Sequence, residues 1–166
     1  MKLSIPILVS VVTCTVAAAE LSPTQVDAKR SLVRAAQTEE YRGGIYAQAK
    51  LDGIDYRPIL KRAINLDEKA LGSLLSMRFI GEGAETHCEN LLQLMRLWGD
   101  DRFSKVVAQQ PAKIRALVVG SIDYAWADPE WNLYSKTRKT SPGSVTKRTK
   151  AEQDAAGQPA PRHESK

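Results

Sequence analysis

The 166-residue chain predicts an all-α fold: a compact bundle or short superhelix of five or six helices, between a cleaved N-terminal signal and a disordered C-terminal tail. Three observations carry this. Apolar residues recur at intervals of three and four through the middle of the chain, helix-cap residues precede those stretches, and no stretch alternates convincingly with period two. With 43% apolar and 26% charged residues, the composition fits neither a membrane-embedded nor a wholly disordered chain. The expected organisation is a signal at 1–19, a helical domain at 20–134 and a basic tail at 135–166.

The first segment opens on Met1-Lys2, runs apolar from Leu3 to Val16 and closes on Ala17-Ala18-Ala19, the pattern of a secretory signal. Fourteen residues of helix reach roughly 21 Å, short of the ~30 Å of a hydrocarbon core, so an anchor is not expected and the mature chain has no transmembrane segment. The expected location is the periplasm or the extracellular space. Lipidation of Cys14 is the competing reading, but Val11-Val12-Thr13 lacks the small residue wanted just before such a cysteine. Removing the signal leaves Cys88 alone, so no internal disulfide forms and the apolar core must hold the fold. The apolar neighbours of Cys88 predict a buried, inert thiol.

The helices follow in order. Ser22-Pro23-Thr24-Gln25 is a capping-box start for a helix from about Pro23 to Tyr41, with Val26, Leu32, Val33 and Ala36 as its apolar stripe. Ile45 to Leu51 forms a short helix before the Asp52-Gly53 break. Asp55 then caps a helix carrying Ile59, Leu60, Ala63 and Ile64. Asp67 caps another with Leu71, Leu74, Leu75 and Phe79, ended by a Gly81-Glu82-Gly83 loop. From Ala84 to Trp98, the positions Ala84, Cys88, Leu91, Leu92, Met95 and Trp98 share one face, with Glu85, Glu89, Gln93 and Arg96 opposite. Asp100 or Asp101 caps a short helix containing Phe103, Val106 and Val107. Pro111 opens the last long helix, whose buried stripe is Ile114, Leu117, Val118, Ser121, Ile122 and Ala125.

Residues 67–127 read as two helix pairs. The second runs Asp100-Asp101-Arg102-Phe103, Gln110-Pro111-Ala112-Lys113-Ile114-Arg115, Leu117-Val118, and resembles a HEAT-type repeat. The period is not kept between the pairs, since Leu74 and Val106 are offset by 32 residues and Leu91 and Ile114 by 23. The resemblance implies protein binding along a curved helical surface and assigns no site residue. A plain bundle is equally compatible with the pattern.

Charge divides unevenly. From Ser135 to Lys166 eight basic residues face three acidic ones, whereas Glu20 to Tyr134 holds fifteen basic and sixteen acidic, so the folded part has no positive excess for phosphates. No specific nucleic-acid partner is expected. The tail has no large apolar residue and predicts disorder; its partner would be an anionic surface, and the alternative is a solubilising extension.

Among chemical candidates, Glu82, Glu85, His87, Cys88 and Glu89 fall within eight residues, but His87 lies about 200° round the helix from Glu85, and the spacing is not that of a zinc helix. No metal or cofactor is expected, nor a serine-nucleophile or phosphate-loop motif. Tyr124, Trp126, Trp131 and Tyr134 crowd into eleven residues; they form either a lid over the end of the bundle or an exposed binding strip. The leading functional expectation is an exported, non-catalytic domain that binds another protein as inhibitor or adaptor, with Glu85, Glu89, Arg96 and the four aromatics as binding residues. The alternatives are a small envelope hydrolase using Glu82, Glu85 and Glu89, and a surface-tethered module using the aromatic strip.

Overall fold

The computed structural model describes residues 20–37, 43–124 and 134–141. Among them are eight helices and no strand: α1 (Pro23–Gln37), α2 (Gly43–Leu51), α3 (Tyr56–Ile64), α4 (Glu68–Ser76), α5 (Gly81–Trp98), α6 (Asp100–Ala108), α7 (Ala112–Tyr124) and α8 (Ser135–Lys139). The expectation of five or six helices is therefore low; α2 answers to the short helix expected at Ile45 to Leu51, and α8, five residues without an apolar side chain, has no counterpart in the sequence reading. The expected signal at 1–19, the stretch from Thr38 to Tyr41, and residues 142–166 of the expected tail lie outside the described residues. No helix of the described residues is long and apolar enough to cross a membrane.

The centre is α5, which packs against α1, α2, α3, α6 and α7. A linear stack would set each helix only against its chain neighbours. Here α1 lies along α5, so the architecture is a bundle around one helix rather than a superhelix. Ten of the eighteen residues of α5 are buried, among them Thr86, His87 and Asn90. The one-sided reading of this helix is thus corrected: enclosure by five neighbours buries polar positions that periodicity alone assigns to solvent. Cys88 is only partly buried.

Helix α1 starts on the expected capping box, with Ser22 N–H donating to Gln25 Oε1 at 3.0 Å and Gln25 N–H to Ser22 Oγ at 3.3 Å. Gln25 Nε2 also donates to the Leu97 carbonyl at 2.9 Å, which ties this start to the last turn of α5. The buried face of α1 is Ala28, Leu32, Ala35 and Ala36; alanine lets the two helix backbones approach closely. Val26 therefore leaves the predicted core and stands 40% exposed.

The α2–α3 turn uses Gly53 at φ 71°, with Gly53 N–H bonded to Lys50 O and Ile54 N–H to Ala49 O. Asp55 occupies the N-cap position of α3 without capping it. Asp67 does cap α4, accepting from Ala70 N–H at 3.0 Å. The helix α4 stops at Ser76, and Met77 and Ile80 are extended, so Phe79 lies off the helix and α5 begins three residues before Ala84. Gln48 of α2 holds this connection by accepting from Ile80 N–H at 2.8 Å and donating to its carbonyl at 3.2 Å.

Asp100 does not cap α6; Gly99 takes that position. The Asp100 carboxylate instead accepts from Lys136 N–H, Thr137 N–H and Thr137 Oγ1, each at 2.8 Å. An ion pair of Lys136 with Asp101 and a bond from Arg115 Nε to Thr140 O at 3.0 Å complete the clasp. Thr137 is fully buried. The expected disorder from 135 onward is thus corrected for 135–141, where an acidic helix start on α6 supplies the docking that the segment's own apolar content cannot. On α7, Leu117 is 41% exposed and Val119 takes its place in the core.

Candidate functional site

The predicted binding residues separate in space. Glu85 and Glu89 are exposed and Arg96 is half-buried, although all three lie on one face of α5 by helical angle. The cause is α1, which covers the C-terminal part of that face: Arg96 lines a polar cavity of about 370 Å³ in the α1–α5 seam with Thr24, Asp27, Ala28, Ser31 and Gln93. Tyr134 is half-buried and packs against the core. Tyr124 ends α7, and Trp126 and Trp131 lie outside the described residues. Glu82 is also exposed. No group of three or more His, Cys, Asp or Glu side chains among the described residues is placed to hold a metal ion.

Behind the α5 carboxylates lies a sealed polar network. The Asn90 amide donates to the Tyr56 hydroxyl at 3.2 Å, and Tyr56 Oη sits 3.0 Å from His87 Nδ1. One proton lies between Tyr56 Oη and His87 Nδ1, and the ring tautomer sets which of the two atoms donates it. The Nε2 atom is buried without a hydrogen-bond partner among the described residues. Phe79 and Tyr56 pack on the ring, with centroids at 4.9 and 5.8 Å. Burial lowers the His87 pKa to about 4; the Leu74 carbonyl opposes this and the Arg78 guanidinium adds to it. The side chain is 6% exposed, so the network orders the core and offers no open face to a substrate.

Cys88 is held as a thiol. Partial burial raises its pKa, a hydrogen bond with the Ser121 side chain opposes this, and Glu85 and Glu89 add to the rise. The predicted inert character therefore has a physical basis even though full burial does not hold.

The described surface shows an open apolar groove elsewhere, on the outer side of α1. It measures about 430 Å³ and is lined by Leu21, Val26, Lys29, Arg30, Val33, Arg34 and Gln37. Leu21 and Val26 are 38% and 40% exposed. Val26 and Val33 stand seven residues apart, two turns along one flank of the helix; Val26 is exposed, while Val33 is half-buried and packs partly against the core. Lys29 and Arg34 flank them, and Arg30 joins this rim while pairing with Asp27 at 2.9 Å. α1 is thus amphipathic on two sides, one buried and one open. The signal was present in the Val26/Val33 spacing; Val33 packs partly against the core as expected, and assigning Val26 to the core hid the groove. No family model, no curated protein and no solved structure matches the chain.

Proposed function

We propose that the chain is an exported helical domain that works by holding another protein, as inhibitor or adaptor, on the outer face of α1. The occupant is an acidic helical segment carrying two apolar anchors about two turns apart. The single observation behind this reading is the groove of Leu21, Val26 and Val33 inside a rim of Lys29, Arg30 and Arg34. Apolar anchors gain roughly 1 kcal/mol for each half-exposed side chain they cover. The cationic rim selects acidic flanks and speeds encounter at low salt. The partner-binding surface moves from the Glu85/Glu89 face to α1, where the apolar groove and its cationic rim lie together.

The test is affinity capture from the organism that carries the gene, followed by titration of the purified captured protein. A protein retained by the parent chain should be lost with Val26→Glu and weakened by Lys29→Glu plus Arg34→Glu, with melting temperature unchanged and affinity falling with salt. Glu85→Gln plus Glu89→Gln should leave capture intact. Retention that ignores the α1 substitutions refutes the reading.

A further inference from the structure

The connection from α4 to α5, Met77 to Ile80, is a non-helical strap laid over the buried imidazole of His87. Its side chains alternate in burial: Met77 is buried and Phe79 half-buried, while Arg78 and Ile80 are exposed. The Phe79 ring lies on His87 at 4.9 Å and meets Tyr56 edge to face at 5.7 Å. Beyond this packing the strap is lightly fastened. Gln48 of α2 clamps both backbone groups of Ile80, and the Arg78 guanidinium turns back on the Leu75 and Met77 carbonyls beside it. At the far end Gly81 stands at φ 53°, left-handed backbone in which a glycine can pivot without strain. The helix α5, by contrast, is gripped by five others.

The space under the strap is built for a neutral ring. From α3 the Tyr56 hydroxyl faces the imidazole and joins it to Asn90 of α5; from α4 comes the Leu74 carbonyl, and from the strap the Arg78 guanidinium, which opposes a proton there. Tyr46 of α2 backs the Tyr56 ring and carries the Arg57 guanidinium on its other contacts. No carboxylate among the described residues acts on the ring, so a buried imidazolium would have no counter-ion and would need water. We propose that the Met77 to Ile80 strap is an acid-opened lid: a proton on His87 lifts Phe79 off the ring and lets water in, while the helices around α5 stay packed. The strap moves because it is the weakest wall of the site, with a glycine at one end and a single glutamine clamp beside it. Opening presents Met77, Phe79 and Ile80 together as an apolar segment that neutral pH keeps folded down. The lid uses no residue of the α1 groove and stands or falls apart from the proposed function.

Amide exchange of the full chain, expressed as protection factors so that the intrinsic effect of pH cancels, tests this. When the lid is shut, the Met77 amide is bonded to the Leu74 carbonyl and the Ile80 amide to Gln48. The ring takes a proton near pH 6.5 when open and only near pH 4 when shut, so protection of these two amides should fall roughly fifty-fold from pH 7.0 to 4.5. Dilute urea separates a lid from general unfolding. A local opening exposes little surface, so Met77 and Ile80 should exchange no faster in it, whereas the buried Val106 amide of α6 should speed up. His87→Gln should remove the pH dependence at Met77 and Ile80. Gln48→Ala should lower their protection at both pH values and keep the ratio between them, and circular dichroism checks that each variant is folded. Protection that does not fall with pH overturns the proposal. So does exchange at Met77 and Ile80 that follows urea as Val106 does, or a pH dependence that survives His87→Gln.

Discussion

Acidification isolates the role of His87. In the folded chain its imidazole is buried with a pKa of about 4, against an ordinary value of 6.5. The unfolded chain therefore binds a proton at that ring from about pH 6.5 downward, while the folded chain resists until about pH 4. Stability is at its full value above 6.5, falls through this interval, and levels off for this group below it. At about 1.4 kcal/mol for each tenfold change in protonation equilibrium, the interval corresponds to about 3 kcal/mol, a large part of a small domain's stability. Protonation also makes both ring nitrogens donors, so Nδ1 can then only donate to the Tyr56 oxygen that already accepts from Asn90. Urea titrations from pH 7.5 to 4.0 measure the loss directly. His87→Gln removes the titrating group; it costs stability at pH 7.5 through the broken Tyr56 contact, yet the slope between pH 6.5 and 4.5 should flatten. An equally steep slope in that variant would refute the reasoning.

Three further outcomes follow from specific contacts. Asp100→Ala removes three 2.8 Å acceptor contacts from α8; it should cost roughly 1–2 kcal/mol and speed exchange of the Lys136 and Thr137 amides, measured by hydrogen exchange. Trp98→Phe deletes the buried bond from Nε1 to the Ala63 carbonyl at 3.0 Å, and the urea midpoint should report a loss of about 1–3 kcal/mol. The Cys88 thiol, pushed up by burial, should react with a disulfide reagent at pH 7.5 more slowly than free cysteine, with Cys88→Ser as the blank; faster reaction would contradict the assigned environment.

Several elements were legible because their cause is local. The Ser22–Gln25 capping box, the Asp67 cap and the Asp52-Gly53 stop depend on side chains within four residues of the backbone groups they serve, so spacing reveals them. Asp55 and Asp100 carry the same cap signal and do not act on it. Which oxygen finds which N–H depends on the neighbour that packs nearby, and for Asp100 that neighbour is 36 residues away. The predicted site fared less well for the same reason. Glu85 and Glu89 are as exposed as their helical face implies, but Arg96 on that face is covered by α1, a contact no periodicity encodes.

The sequence by itself determined that the middle of this chain is helical and roughly where most helices begin and end, because hydrophobic period and caps act over one or two turns. The tertiary structure decided which face of each helix is inside. Enclosure by five helices buries His87 and Asn90 on α5, an alanine contact turns Val26 outward on α1, and a carboxylate on α6 orders the start of the basic tail. Burial is a property of a helix and its neighbours together, and those neighbours come from distant parts of the chain.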